Sequence, residues 1–184
     1  MGGFLEVLLP RFFPDLSFQC VPHEGKQDLD RSIPRKLKAW REPGVHFCVI
    51  RDNDSGDCHA LKERHFALCK SSGRGDTLIR IACQELEAWY LGDPDAMAEA
   101  FANDKLRMIG EKARFRDPDA VVRPSAEVRK LVPEFRKVSG ARRIACHLTR
   151  DRNRSASSRT FLRGIEDLWR NPLIGDARCP STVG

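Results

Sequence analysis

Two apolar runs, each followed directly by a helical pattern, constrain the fold of this chain more than any other feature. "GVHFCVI" (residues 44–50) and "TLIRIAC" (residues 77–83) are short and rich in β-branched residues, as buried strands are. The segments behind them, "CHALKERHFALCKSS" and "QELEAWYLG", have helical spacing of their apolar residues. Strands that alternate with helices are typical of a mainly parallel sheet whose strands are joined by crossover helices, so we expect an α/β fold.

The residues before these runs extend the same pattern. Residues 4–13 predict a buried helix, and "LSFQCVPHEG" (residues 16–25) predicts a third strand that ends at Pro22. "KQDLDRSIPRKLKAW" (residues 26–40) has the spacing of an amphipathic helix, in which Pro34 should cause a break or a kink.

The second half of the chain predicts helices only. "GDPDAMAEAF" and "RDPDAVVRPS" each place an N-cap aspartate, Asp93 or Asp117, before a proline in the first helical turn. "SGARRIACHL" and "SASSRTFLRGIEDLW" predict two more helices, and the tail from residue 171 is expected to fray. We therefore expect residues 1–184 to form a single domain, with a sheet core over about 1–92 and a helical extension packed on it over about 93–184.

The charge is divided unevenly along the sequence. Residues 1–100 contain 13 Lys and Arg against 16 Asp and Glu, whereas residues 101–184 contain 19 against 10. The halves therefore carry −3 and +9, which sum to the net charge of +6. A basic half beside an acidic half is typical of a polyanion-binding surface next to a metal site; the alternative is that the charges only keep the protein in solution.

The seven cysteines and the apolar segments indicate the compartment. No C-x-x-C pair is present, and several cysteines lie inside apolar runs, which argues against a disulfide framework or a zinc site. No run approaches the ~18 apolar residues of a membrane helix, and the N-terminus lacks the features of a signal peptide. We expect a cytoplasmic protein with no membrane segment.

Acidic residues follow both of these predicted strands. "RDNDSGDC" places Asp52, Asp54 and Asp57 after the first, and residues two apart in extended backbone point the same way. Two carboxylates held 4 Å apart repel by about 1 kcal/mol even in water, and a divalent cation reverses that sign. Carboxylate oxygens are suitable ligands for Mg²⁺ or Mn²⁺. The alternative interpretation of the three aspartates is a solvated turn.

Glu85 and Glu87 follow the second of these strands. If the strands are parallel neighbours, these carboxylates reach the same edge of the sheet, where one of them could complete a metal shell or act as general base. The alternative is a helix N-terminus enriched in glutamate because of the helix dipole. Four arginines of the basic half, at positions 142, 143, 152 and 154, are candidates for contact with a phosphate backbone, or else they belong to a solvated loop.

Several segments together resemble a known family, catalogued as domain of unknown function 4276. They are "PHEGKQDL", "RDNDSGDC", "IACQELEAWYLGDPDA", "FRDPDA", "KVSGARRIA" and "RNRSASSRTFL", and the resemblance runs from about Phe4 to Leu168. The family pattern looks like a Toprim-type (Rossmann-like) α/β domain. Toprim domains in topoisomerases, primases and overcoming-lysogenization-defect nucleases use a glutamate, a D-x-D pair and Mg²⁺ to make or break phosphodiester bonds.

The resemblance implies roles for individual residues. Asp52 and Asp54 match the D-x-D metal pair, Glu85 and Glu87 match the "E-L-E-A-W" motif, and Lys26 matches a basic position that could meet a phosphate. The family normally opens with one more strand and an acidic loop before the helix that here contains "FLEVLLPRFF". The resemblance therefore implies that the glutamate of that strand is missing from this sequence.

Three functions are compatible with this sequence. The leading hypothesis is a Mg²⁺-dependent, Toprim-like nuclease that works with an ATPase partner, because members of the family are expected beside ATPases in mobile or defence-like gene clusters. The second is a non-catalytic Toprim-derived scaffold that binds an ATPase or nucleic acid, and the third is a small-molecule phosphohydrolase. An exposed sheet edge in place of the missing strand would favour pairing with a second copy of the chain.

Overall fold

A parallel pair of strands lies at the centre of the computed structural model, which describes residues 1–170. β1 (Cys48–Asp52) pairs with β2 (Leu78–Ala82) in a register that runs from Cys48 opposite Leu78 to Asp52 opposite Ala82. Helix α3 (Cys58–Ser71) connects them, so the predicted strand–helix–strand unit is confirmed. Because the strands run in the same direction, both carboxyl ends lie at one edge of the sheet.

Helices make up most of the remaining described chain. Up to residue 101, the helices besides α3 are α1 (Gly2–Phe12), α2 (Lys26–Ala39), α4 (Glu87–Leu91) and α5 (Pro94–Phe101). Three short 3-10 helices follow at Asp104–Glu111, Ala113–Phe115 and Pro118–Ala120, and then α6 (Pro124–Leu131), α7 (Ser139–Ala145) and α8 (Ala156–Arg170). No helix within residues 1–170 is long and apolar enough to cross a membrane.

The two faces of the strand pair are covered by different helices. Val49 and Ile79 pack with the buried side chains of α2 and α3, which form the smaller apolar cluster. Leu78 and Ala82 point to the opposite face and join the larger cluster. This alternation follows from the two-residue side-chain period of a strand, and it places the sheet between two helical layers.

The larger apolar cluster contains residues from both halves of the chain. Trp89 of α4 is fully buried at its centre, with ring centroids 6.1 Å from Phe4 of α1 and 5.1 Å from Phe161 of α8. The Trp89 Nε1–H group donates to Ser157 Oγ at 2.8 Å, so the one polar atom of the indole is satisfied. The helices of the second half therefore complete the core around the motif "ELEAWYLG".

The prediction of a strand at residues 16–25 was wrong. No strand is present there, and the segment runs as an irregular, extended connection between α1 and α2. Phe18 and Val21 are 36% and 40% exposed, whereas Leu16 and Cys20 pack against the larger cluster. The three residues between Leu16 and Cys20 are all exposed, so the segment contacts the core without the alternate burial of a paired strand.

The helix boundaries agree with the capping chemistry of the sequence. Asp93 caps α5 by accepting from the Ala96 amide, and Asp117 caps the 3-10 helix at Pro118–Ala120. Helix α2 continues through Pro34 without ending there. The tail from residue 171, expected to fray, lies outside the described residues.

Candidate functional site

Two loops meet at the edge of the sheet where both strands end. The loop after β1 contains Asn53 and Asp54, and the loop after β2 contains Gln84. The Asp54 amide donates to the Gln84 carbonyl at 2.9 Å, and the Gln84 amide donates to Asn53 Oδ1 at 2.6 Å. Asp54 and Gln84 both have positive φ, 47° and 60°, which turns each loop sharply after its strand. We call the carboxylates that these loops hold, Asp52, Asp54, Glu85 and Glu87, the acidic edge.

Asp52 is the last residue of β1 and directly precedes the loop that contains Asn53 and Asp54. Its Oδ1 atom accepts a hydrogen bond from the Leu86 amide at 2.9 Å. The pKa of Asp52 is raised to about 6, first by burial and then by the charges of Glu87 and Asp54, although the Leu86 amide and Lys137 act in the opposite direction. Asp52 and Glu87 therefore approach from neighbouring segments closely enough to repel.

Glu87 is the first residue of α4 and is only 4% exposed. Burial raises its pKa, and the charge of Glu85 adds to that effect, whereas the Glu87 backbone amide and Lys137 favour the ionised form. Within residues 1–170 the structure contains no ion pair to Glu87. A buried carboxylate with a raised pKa and no ion-pair partner is a common property of catalytic and ligand-binding sites.

Lys26 and Asp54 form an ion pair at the solvent side of the acidic edge. Lys26 is the first residue of α2, so this pair also fixes the start of that helix beside the loop after β1. The structure thus brings the predicted phosphate-binding lysine to the predicted metal ligand. In the state described here its ammonium group binds a carboxylate.

Two of the predicted site residues have their oxygens at helix starts. Asp57 Oδ1 accepts from the amides of His59 and Ala60, at 2.8 and 3.3 Å, and so caps α3. Glu85 Oε2 accepts from the Ser125 amide at 2.7 Å in the first turn of α6. Asp57 thus caps the helix that follows it, whereas Glu85 ties the loop after β2 to α6, 40 positions away.

The four predicted phosphate-binding arginines have partners inside the protein. Arg142 pairs with Glu6 at 3.0 Å, and the guanidinium group of Arg143 lies 4.7 Å from the centroid of the Phe101 ring. Arg152 lies 3.4 Å from the fully buried Asp93, and Arg154 donates to the Gly110 carbonyl at 3.0 Å. None of the four contacts Asp52, Asp54 or Glu87 in the described part of the chain.

Two residues that sequence reasoning missed lie beside the acidic edge. Lys137, an exposed residue just before α7, favours the ionised forms of both Asp52 and Glu87. Asn53 is 7% exposed and joins the two loops through its amide group. Asn53 lies within the quoted motif "RDNDSGDC" and could have been found from its position, whereas Lys137 is 50 residues from Glu87 and carries no local signal.

Two carboxylates of the acidic edge, Asp52 and Glu87, are of the type that could hold a magnesium ion together with water. No group of three or more His, Cys, Asp or Glu side chains is arranged as a metal site in residues 1–170. Mg²⁺ is commonly held by one or two carboxylates, with water and substrate phosphate as the other ligands. Asp52 and Glu87 supply two such carboxylates, whose pKa values are raised first by burial and further by neighbouring negative charges, which a cation would offset.

The fold and the site define a mixed α/β protein with a parallel strand pair and a partly buried acidic edge. A family model matches residues 1–166, and the chain belongs to that family, which is described as a domain of unknown function (DUF4276). This confirms the family that the sequence segments indicate. Neither a curated protein nor a solved structure matches the chain.

Proposed function

We propose that the acidic edge binds Mg²⁺ or Mn²⁺ and that the protein is a Toprim-like nuclease that cleaves phosphodiester bonds. The observation that carries this proposal is that Asp52, at the end of β1, accepts a hydrogen bond from the Leu86 amide and so lies beside the buried Glu87, at the edge where two parallel strands end. Ligands of open α/β sheets gather at that end of the strands. Asp52 is half-buried and Glu87 is buried, and burial of carboxylates costs stability unless a cation or a proton is present.

The proposed ligands are Asp52 and Glu87, with Asp54 as a third oxygen donor when Lys26 leaves it for a substrate phosphate. When bound, the cation would stabilise charge on the phosphate and favour a hydroxide nucleophile at neutral pH.

Lysines complete the proposed site. Lys26 and Lys137 flank the carboxylates from α2 and from the segment before α7, and their ammonium groups can hold a phosphate oxygen. Glu85 is assigned a positioning role, since its bond to the Ser125 amide ties α6 to the acidic edge.

The second candidate is a non-catalytic scaffold that binds nucleic acid or an ATPase partner. The observation in its favour is that the four arginines already have intramolecular partners and that Lys26 neutralises Asp54. A scaffold would need neither a cation nor a free carboxylate. The two candidates differ in one measurable property, which is bond cleavage.

The test uses DNA, RNA and the chromogenic diester bis(p-nitrophenyl) phosphate, each with Mg²⁺, Mn²⁺ or EDTA. The variants are Asp52→Asn and Glu87→Gln, and the matched control is Glu63→Gln, which changes an exposed carboxylate of α3. We expect cation-dependent cleavage that falls by about 100-fold or more in both site variants and is unchanged in the control.

Three outcomes would count against the nuclease. Cleavage that persists in both site variants would show that the acidic edge does not take part in the reaction. Binding of nucleic acid without cleavage supports the scaffold. Hydrolysis of p-nitrophenyl phosphate, a monoester, without cleavage of the diester supports a small-molecule phosphohydrolase.

A further inference from the structure

Two cysteine thiols lie against each other beside the acidic edge. Cys58 is the first residue of α3 and Cys83 directly follows β2, so the pair comes from the same two loops that hold the carboxylates. Their sulfur atoms are 3.5 Å apart. A disulfide bond needs a separation of about 2.05 Å, so the two sulfur atoms must move about 1.5 Å closer.

The surroundings of the pair favour reaction at Cys58. Asn53 Nδ2 donates to the Cys58 sulfur at 2.9 Å, and the N-terminus of the 14-residue helix α3 stabilises negative charge at that position. Both cysteines are half-buried, so a small oxidant has access to them. Neither thiol has a role in the proposed nuclease.

We propose that Cys58 and Cys83 form a reversible oxidation site, in which a peroxide converts the two thiols into a disulfide bond. The proposal stands apart from the proposed nuclease activity, because it rests on the sulfur–sulfur contact and the neighbouring donors. It assigns this chemistry to a pair of residues separated by 25 positions in the sequence, without a C-x-x-C motif.

The reaction balances with one peroxide molecule. The Cys58 sulfur attacks one peroxide oxygen and the O–O bond breaks, which gives a sulfenic acid and one water. The Cys83 sulfur then attacks the sulfenic sulfur, and the hydroxyl group leaves with the Cys83 proton as a second water. Overall, the two thiols lose two electrons and two protons, and the peroxide is reduced to two waters.

Oxidation would change the acidic edge through Asn53. The same amide side chain that donates to Cys58 also accepts from the Gln84 amide and donates to the Gly56 carbonyl, at 2.6 and 3.0 Å. A disulfide between Cys58 and Cys83 replaces the Asn53–Cys58 contact with a covalent link between the two loops.

The experiment treats the full-length protein with one equivalent of hydrogen peroxide. Free thiols are then blocked with N-ethylmaleimide, the chain is digested, and the peptides are analysed by mass spectrometry before and after reduction with dithiothreitol. We expect a Cys58–Cys83 linked peptide, lighter than the sum of its parts by two hydrogen atoms, as the main intramolecular disulfide, and we expect reduction to remove it. In Cys83→Ser, Cys58 should accumulate as a sulfenic acid that dimedone traps.

Cys146 is the internal control, because it is the exposed thiol among the described cysteines. If exposure alone governed oxidation, Cys146 would be modified first and Cys58 and Cys83 would be recovered blocked by maleimide. That result, or a mixture of disulfides with no preference for Cys58–Cys83, would overturn the proposal. The main readout uses the unmodified sequence, so it does not depend on whether a variant folds, and it is independent of any nuclease measurement.

Discussion

At the scale of single residues, the charge state of Asp52 links stability to pH. The folded state raises its pKa from 3.8 to about 6, so the folded protein binds this proton more tightly than the unfolded chain does. The stability that Asp52 contributes is therefore fully present below about pH 4 and is lost as the pH rises through about 6. At 1.36 kcal/mol per pKa unit, the loss is about 1–3 kcal/mol once partial solvation is allowed for.

We expect Asp52→Asn to be more stable than the original protein above pH 6 and to have a flatter stability profile between pH 4 and 7. Asparagine keeps the Oδ1 acceptor for the Leu86 amide but carries no charge that Glu87 and Asp54 can repel. The measurement is urea denaturation at a series of pH values in EDTA. Asp104→Asn is the control, since that carboxylate is 92% exposed, and equal profiles for both variants would contradict the interpretation.

At the scale of the elements, Gly92 determines how closely α4 approaches the start of α8. Its φ of −69° is available to any residue, so the glycine is needed for space and not for backbone conformation. A methyl group there would overlap Asn153 Oδ1 and lie 3.0 Å from the Ser155 amide nitrogen. Asn153 is 1% exposed and is held by its bond to the Trp89 carbonyl, so it has no room to move.

We expect Gly92→Ala to lower the free energy of unfolding by about 1–3 kcal/mol, because overpacking forces a shift in backbone or in buried side chains. Gly75→Ala is the matched control, since its nearest neighbour would be the flexible side chain of Lys70 at 3.8 Å, and its effect should stay within about 0.5 kcal/mol. Chemical denaturation measures both. Similar losses for the two variants would show that close packing at Gly92 is not the cause.

The elements also show which parts of the fold the sequence could predict. Helices α2, α3 and α8 and both strands follow from local periodicity and capping residues, which act over a few positions. The segment at residues 16–25 has a strand-like pattern but no pairing partner, and pairing depends on contacts that are distant in the sequence. The apolar residues of this segment therefore did not distinguish a strand from an irregular connection.

Part of the candidate site could likewise be predicted from the sequence, and part of it could not. The meeting of Asp52 with Glu87 was predictable because parallel neighbouring strands end at a common edge. The capping role of Glu85 depends on Ser125, 40 positions away, and no local sequence pattern indicates it. The partners of Arg142 and Arg152 also come from segments that are distant in the sequence. The amino-acid composition of the second half carries no information on these pairs, so it indicated a free basic surface.

At the scale of the whole molecule, the basic second half is the surface that we propose for contact with a polyanion. Residues 101–184 carry a net charge of +9 against −3 for residues 1–100. The arginines of the basic half have partners within the protein, yet Arg142 and Arg143 remain exposed to solvent. An exposed ion pair is weak, so a phosphate backbone competes with Glu6 for Arg142 at little cost.

We expect Arg142→Gln/Arg143→Gln to weaken the binding of single- and double-stranded DNA and of RNA. Binding to the original protein should fall steeply between about 50 and 200 mM salt, because contacts with phosphates release counterions. Each lost phosphate contact should reduce the slope of log affinity against log salt by about 0.9, so the double substitution should reduce it by up to about 1.8. Fluorescence anisotropy measures the slope. Arg35→Gln/Lys38→Gln removes the same charge from exposed positions of α2, and an equal change in that control would mean that net charge, and not this surface, governs binding.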